Sequence, residues 1–332
     1  MTMKIPELKT VIANYTPTQL QTLVVVLYKA IPKKALADGA LDAILKNPDA
    51  ATAKKEKKEI EIPDVNDLES EIDEFVGDAM AQYYFAPNRI IPKSERPKWR
   101  FKVRRFYKDL IASAVKTENA ATAAKLLEDL YMVLREACRI WLFNTSEPFE
   151  SVGVEQTAFF HQILVLQEKV ISGKEFISKA MTLLMKESVY SRAFMEDVLS
   201  FLRTPDLKYM AIENAEKRLS NESAARSVAK EKMRVYESDE RINMLCVFVC
   251  RCRLKLREPD AAVEYFEKHY LAQNTEVKLY VLLRMLFEYE EKEAIKRLIM
   301  NAEKRNITPR ESLCKLRDYI AEHDALPERM SS

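Results

Sequence analysis

Glycine is almost absent from this chain, and that scarcity limits the available folds more than any motif does. The chain has 332 residues and four glycines, Gly39, Gly77, Gly153 and Gly173, where average usage would place about 20. Hairpin turns in β-sheets need backbone positions with positive φ, and phosphate-binding loops need glycine for close backbone approach. Few positions here can meet either need. The composition therefore favours an all-α fold and disfavours most common enzyme folds.

The spacing of apolar residues supports the same fold class. Large apolar side chains recur every three or four positions, which is the period of an amphipathic helix. The clearest stretches are Leu20, Leu23, Val24 and Leu27, then Leu127, Leu130, Tyr131 and Leu134, then Leu279, Leu282, Leu283 and Leu286. Repeated over the chain, this pattern predicts about 14 helices.

Prolines mark several helix starts. Thr16–Gln19 and Thr308–Glu311 both place threonine at the N-cap, proline at the first helical position, and Gln or Glu three residues after the threonine. The threonine hydroxyl and the Gln or Glu side chain can then satisfy backbone donors reciprocally. Thr204-Pro205 and Glu258-Pro259 predict further starts.

Composition changes along the chain suggest four parts. Residues 1–46 form a small N-terminal helical module, and residues 47–63 form a charged linker that is poor in large apolar groups. Residues 64–145 form a helical segment, and residues 154–325 form a helical-repeat-like array whose helices follow one another with short joins. Helices that cannot bury their apolar faces alone must stack on their neighbours. The predicted architecture is a right-handed, α-solenoid-like stack of antiparallel helical hairpins.

Two segments resemble known proteins. Glu258–Lys268 resembles the second helix of a tetratricopeptide-type repeat, with Ala262 and Phe266 in the small and the aromatic positions, and Glu293–Leu298 repeats the pattern about 32 residues later. The Trp and Gly signature of that family's first helix is absent. This resemblance implies a helical solenoid without naming a ligand. Leu8–Lys29 resembles the opening of some uncharacterised bacterial helical proteins, which implies a bacterial cytoplasmic protein of unassigned activity.

Charge and cysteine usage limit the compartment and the partners. The 53 basic and 51 acidic residues give a net charge of +2, so a polyanion would have to bind a local patch. The five cysteines form no disulfide framework, which indicates a reducing compartment. Met1–Pro6 lacks the apolar core of a signal peptide, and the longest apolar runs, Leu23–Tyr28 and Leu245–Cys250, are too short to span a bilayer. We expect a cytoplasmic protein that does not associate with membranes.

One segment combines basic and aromatic residues. Between Arg89 and Lys108, nine basic residues surround four aromatics, with Glu95 as the lone acid. Cations interleaved with aromatic rings can hold a phosphate backbone and stack bases. The candidate residues for binding a polyanion or a partner are Arg96, Lys98, Trp99, Arg100, Phe101, Lys102, Arg104, Arg105 and Lys108.

Two geometries are open to this segment. An extended chain would place Trp99, Phe101 and Val103 on one face. A helix would instead gather Trp99, Val103, Phe106, Leu110 and Ala114 into an apolar stripe. Continuation into Leu110-Ile111 favours the helix, which leaves Phe101 in the middle of the basic face.

The basic segment also has a structural explanation. Residues 56–78 carry ten acidic residues against Lys57 and Lys58. An acidic helix packed beside a basic helix would explain both the acidic segment and the basic segment. Each surface ion pair would contribute up to about 1 kcal/mol. Three interpretations stay open at this point: neutralisation within the chain, binding of a polyanion, and binding of an acidic protein partner.

The remaining candidates for chemistry favour structural roles. Cys246, Cys250 and Cys252 lack a fourth ligand nearby for a closed zinc site, and we interpret them as small buried residues. His161 lies in an apolar helix and is expected at the core or its boundary. The larger aromatics are expected to pack between hairpins; these are Tyr131, Trp141, Phe143, Phe159, Phe160 and Phe176.

These observations predict a protein without catalytic residues, metal ligands or cofactors. Gly-rich phosphate loops, the GxSxG elbow and the HExxH pair do not occur in the sequence. We expect a non-catalytic binding or scaffold protein that uses the surface of its helical array, with another protein as the favoured partner. The alternative is a nucleic-acid-associated protein that binds phosphates through residues 96–108. A third possibility is an enzyme whose site is assembled from scattered helix residues.

Overall fold

The fold is described here from a computed structural model. It describes residues 5–31, 45, 64–85, 98–187 and 192–330. These residues form 15 α-helices and no β-strand, so the all-α class is confirmed. The chain divides into two compact units, residues 1–61 and residues 62–332. The predicted linker at residues 47–63 lies outside the described residues. The boundary between the two units falls within that range.

The first unit contains helices α1 (Ile5–Ile12) and α2 (Pro17–Ala30). The predicted capping box at the start of α2 is present: the Thr16 hydroxyl accepts from the Gln19 backbone N–H at 3.3 Å, and the Gln19 side chain accepts from the Thr16 N–H at 2.8 Å. The apolar stripe predicted for α2 is not buried within the described residues. Val24 and Leu27 are 44% and 54% exposed, so the spacing located the helix but did not identify a buried face.

The second unit contains thirteen described helices, which we number in chain order. They are α3 (Val65–Met80), α4 (Trp99–Ser113), α5 (Thr117–Ala137), α6 (Pro148–Val152), α7 (Gln156–Val170), α8 (Gly173–Lys186), α9 (Arg192–Phe201), α10 (Pro205–Val228), α11 (Lys232–Lys255), α12 (Pro259–His269), α13 (Thr275–Glu288), α14 (Lys292–Lys304) and α15 (Glu311–His323).

Side-chain caps explain where several of these helices begin. The Thr204 hydroxyl accepts from the Leu207 N–H at 3.3 Å, and Pro205 is the first residue of α10, as predicted. Pro259 likewise begins α12. Proline suits this position because the first helical N–H has no partner inside the helix.

The helix start predicted at Thr308-Pro309 is wrong. Helix α15 begins at Glu311, and its N-cap is Arg310 rather than Thr308. The reason is a tertiary contact: the Arg310 guanidinium donates to both carboxylate oxygens of Glu276 on α13, at 2.6 and 2.7 Å. This bidentate pair holds Arg310 in an extended conformation and delays the helix.

Helix α5 organises the first part of the second unit. It packs against α3, α4, α6 and α7, and its predicted stripe of Leu127, Leu130, Tyr131 and Leu134 is fully buried. The helical period therefore identified the buried face of α5 correctly. Helix α4 packs one face against α5, and its opposite face is exposed.

From α10 to α15, each helix packs against the next one along the chain. The predicted stripe of α13 is buried, and so are Ala262 and Phe266 in the segment that resembles a tetratricopeptide repeat. The Phe266 ring stacks on Tyr270 with centroids 4.4 Å apart. The solenoid-like, right-handed stacking of hairpins stays a prediction.

Candidate functional site

The basic-aromatic segment is helical. In α4, the predicted stripe of Trp99, Val103, Phe106, Leu110 and Ala114 is buried, with no member more than 4% exposed. The helical interpretation is confirmed, and the extended one is wrong for the part of the segment that the structure describes. The candidate residue Arg96 lies outside the described residues.

Trp99 does not belong to the exposed face of α4. It is 3% exposed, its ring stacks on Phe143 with centroids 4.0 Å apart, and its indole N–H donates to Asn144 Oδ1 at 3.3 Å. A ring buried in this way cannot stack on a nucleic-acid base. The candidate role of Trp99 in binding is therefore corrected to a role in the core.

Phe101 lies in the opposite environment. It is 52% exposed, and the guanidinium carbons of Arg100 and Arg104 lie 5.1 and 5.9 Å from the centroid of its ring. Such cation–π contacts hold a positive charge close to an exposed aromatic surface. We call the following residues the basic face of α4: the exposed Lys98, Arg100, Phe101, Lys102, Arg105 and Lys108, and the half-buried Arg104.

Ion pairs within the described part of the chain neutralise only part of this face. Arg105 forms an ion pair with Glu71 on α3, while another acid of α3, Glu69, pairs with Lys125 of α5 at 3.3 Å. Arg104 instead donates to the Val152 carbonyl at 2.7 Å.

The position of Arg104 depends on a glycine. Gly153 ends α6 with a φ of 75°, and a Cβ atom there would lie 3.0 Å from Arg104 Nη2. A larger residue at 153 would meet both backbone strain and the arginine. Arg104 is therefore a structural link between α4 and the end of α6.

The other four cations of the basic face form no salt bridge with a described residue, although Lys108 interacts electrostatically with Asp109. They are Lys98, Arg100, Lys102 and Lys108. The Lys102 ammonium lies 5.9 Å from the centroid of the Tyr84 ring. Arg100 and Lys102 thus contact aromatic rings rather than described carboxylates.

A second candidate site is a groove that the sequence did not predict. It lies between α9, α11 and α13 and encloses about 340 Å³, a volume in the range of ligand-binding clefts. We call it the central groove. Its lining residues are Arg192, Met195, Asn243, Met244, Val247, Arg251, Tyr270, Tyr280, Val281, Arg284, Met285 and Glu288.

The polar groups of the central groove are mostly engaged. Arg251 donates to Glu196 at 2.5 Å and to Glu288 at 2.6 Å, and Arg192 donates to Glu288 at 2.7 Å. Burial alone would lower the pKa of Arg251, but the Glu288 carboxylate raises it above its ordinary value. Arg251 therefore carries its charge at every physiological pH.

Arg284 is the exception in the central groove. It is exposed on α13 and forms no ion pair with any described residue. The Asn243 side chain, by contrast, donates to the Leu271 carbonyl and accepts from the Leu271 N–H, both at 2.7 Å. The groove thus combines an apolar floor with one uncompensated positive charge.

Two further depressions continue the central groove. One of about 660 Å³ shares Arg192 and Glu288 with it, and another of about 760 Å³ shares Asn243 and Tyr270. Because neighbouring cavities share lining residues, the three follow one another along the surface of the second unit. No sequence pattern could predict the central groove, because the methionines of its floor come from three separate helices.

The cysteines are buried as expected. Cys246, Cys250 and Cys252 are inaccessible, and Cys250 donates its S–H to the Ala262 carbonyl at 3.3 Å. Burial raises the pKa of Cys250, and it raises the pKa of Cys252 to about 12. Within the described part of the chain, no cluster of metal-binding side chains was found.

Thiol alkylation should reflect this difference in exposure. We expect a maleimide to modify the exposed Cys138 about 100-fold faster or more than Cys246, Cys250 and Cys252, because the buried thiols react only after local unfolding. Peptide mapping by mass spectrometry after timed labelling measures the rates. Equal rates at all four sites, or zinc bound stoichiometrically to the purified protein, would contradict buried structural thiols.

Trp141 departs from its expected place, whereas His161 lies at the boundary of the core. The His161 ring is half exposed, its centroid lies 5.5 Å from that of Phe201, and its Nδ1 lies 2.6 Å from Asp197 Oδ1. Trp141 is 57% exposed. The other aromatics expected in the core, namely Tyr131, Phe143, Phe159, Phe160 and Phe176, are buried.

Comparison of the chain with protein-family models, with curated proteins and with solved structures gives no match. In the described part of the chain, every helix falls short of the length or the apolar character that a membrane crossing demands.

Proposed function

We propose that this protein is a non-catalytic binding protein that holds a segment of another protein in the central groove. The observation that carries the proposal is the combination of an apolar floor with Arg284, a cation that no described carboxylate neutralises. Such a site favours a segment that inserts apolar side chains and places an Asp or Glu beside Arg284. Because Arg192 and Arg251 are already paired with Glu288, Arg284 is the lining charge that favours an acidic partner.

The extent of the site favours a macromolecule over a small molecule. The central groove alone could hold a small ligand, but its continuation at both ends offers a path along several helices. Helical arrays bind through such extended surfaces rather than through one chemical centre. A peptide segment is the ligand whose length matches this arrangement.

The floor of the groove suits a protein segment. Met195, Met244 and Met285 form this floor from three helices and are only 5%, 5% and 3% exposed. Their flexible side chains can shift to admit an apolar side chain of a partner. Tyr280 also lines the groove, with the Arg310 guanidinium carbon 3.8 Å from the centroid of its ring.

The chemistry of the lining favours binding over catalysis. Glu288, its one carboxylate among the described lining residues, is engaged by two arginines. The same lining contains no Cys, His or Ser that could act as a nucleophile or general base. An enzyme would require a catalytic group at another place.

Selection from a display library of random 15-residue peptides tests the proposal. We expect the enriched peptides to combine apolar residues with Asp or Glu. Fluorescence anisotropy should then show that Arg284→Glu weakens their binding about tenfold, or about 1.4 kcal/mol, because an attractive charge contact becomes repulsive.

Arg257→Glu provides the matched control, since Arg257 is also an exposed arginine without an ion pair to any described residue, and it lies outside the groove lining. We expect it to change the affinity less than twofold. The proposal fails if no peptide is enriched, or if the enriched peptides bind the wild-type protein and Arg284→Glu equally well.

A further inference from the structure

The basic face of α4 is separate from the central groove and is not explained by it. Four of its cations form no ion pair with a described residue, and they share this face with the half-exposed Phe101. They are Lys98, Arg100, Lys102 and Lys108. Trp99, two residues earlier on the chain, is buried, whereas Phe101 is 52% exposed.

We infer that the basic face of α4 binds single-stranded nucleic acid. Phosphate groups would contact Arg100, Lys102 and Lys108, and an unpaired base would stack on Phe101. Stacking is possible because every base has a π-face, and it makes such binding tolerant of sequence.

Single strands fit this face better than duplexes do. In a duplex the bases are stacked on each other, so a ring at a flat surface meets only the backbone, whereas unpaired bases can turn outward onto aromatic side chains. From Lys98 to Lys108 the helix rises about 15 Å. That length accommodates a short stretch of nucleotides with few phosphate contacts.

An acidic protein would use the cations but not the ring. Carboxylates pair with Lys and Arg without any need for an aromatic surface, as Glu71 already does with Arg105. The exposed Phe101, whose ring centroid lies 5.1 and 5.9 Å from the guanidinium carbons of Arg100 and Arg104, is the feature that favours a nucleic acid over an acidic peptide.

Fluorescence anisotropy with labelled U12 RNA and dT12 DNA tests the inference over a series of salt concentrations. For wild-type protein we expect log K to fall with log salt with a slope of about −2, since each phosphate contact with a single strand contributes about −0.7. The triple variant Arg100→Ala/Lys102→Ala/Lys108→Ala should bind at least tenfold more weakly at low salt, with a slope near zero.

Phe101→Ala should separate stacking from charge. We expect it to weaken binding about tenfold and to leave the salt slope unchanged, because it removes no cation. The control Lys217→Ala/Lys268→Ala/Lys304→Ala removes three exposed lysines from α10, α12 and α14 and should leave both affinity and slope near those of wild type.

Three results would overturn the inference: no binding of either single strand at low salt, equal loss of binding in the control and the α4 triple variant, or tighter binding of a duplex than of U12. Poly-glutamate provides the remaining comparison. If it competes with U12 at equal charge concentration and Phe101→Ala has no effect on either, the face binds acidic protein instead. None of these outcomes depends on peptide binding in the central groove.

Discussion

Trp99→Ala is expected to lower the free energy of unfolding of the second unit by about 3–5 kcal/mol, the usual cost of truncating a large buried aromatic. The substitution removes a ring that is almost fully buried and stacked on Phe143 at 4.0 Å. It also leaves a cavity between α4 and the loop that follows α5, because the surrounding helices can close it only in part. Urea denaturation followed by far-UV circular dichroism measures the change.

Phe101→Ala is the matched control for Trp99→Ala. The two aromatic residues are two positions apart on the same helix, but Phe101 is mostly in solvent. Surface substitutions away from special features usually change stability by less than about 0.5 kcal/mol. Equal destabilisation by both variants would contradict the orientation of α4 described above.

The contrast between these residues shows what sequence could establish about α4. The 3.6-residue period separated the buried stripe from the basic face and placed Phe101 on that face. Counting basic and aromatic residues could not do so, because Trp99 and Phe101 contribute equally to such a count. Periodicity, not composition, carried the correct information.

Charge pairing was predictable only in outline. The acidic character of α3 and the basic character of α4 indicated contact between them, and Arg105 does pair with Glu71. Yet Glu69 pairs with Lys125 of α5, and Arg104 bonds a backbone carbonyl. Which charges meet depends on the rotation of each helix about its axis, and the sequence of one helix does not contain that information.

The central groove lay beyond prediction for a related reason. Met195, Met244 and Met285 belong to three helices that are far apart in the sequence, and each is an ordinary apolar residue of its own helix. Only tertiary packing brings them together. The failed cap at Thr308 has the same origin, since the tertiary pair between Arg310 and Glu276 overrides a favourable local motif.

The largest ionic effect is expected at the base of the central groove. Arg251 of α11 is nearly buried, with 8% of its side chain exposed, and it bonds Glu196 of α9 and Glu288 of α13. One guanidinium therefore joins three helices. Taking charges out of water is costly, so such a cluster is stable only while every member keeps its partners.

Arg251→Met is expected to destabilise the second unit by about 3 kcal/mol. Removing one partner of a buried ion pair costs about 3–5 kcal/mol, and we place this case at the low end because Glu288 retains Arg192 and Glu196 retains Lys255. Methionine preserves much of the packing volume, so the loss reflects Glu196 and Glu288, each of which loses one of its two cations. Urea denaturation under the conditions used for Trp99→Ala provides the measurement.

Two comparisons identify the cause of that loss. Adding Glu196→Gln and Glu288→Gln to Arg251→Met should restore about 1–2 kcal/mol, because the amides carry no charge that needs a partner. Arg297→Met removes an arginine whose pair with Asp260 is largely exposed, and it should cost less than about 1 kcal/mol. If Arg251→Met costs no more than Arg297→Met, the guanidinium does not hold α9, α11 and α13 together, and the central groove must be shaped by apolar packing alone.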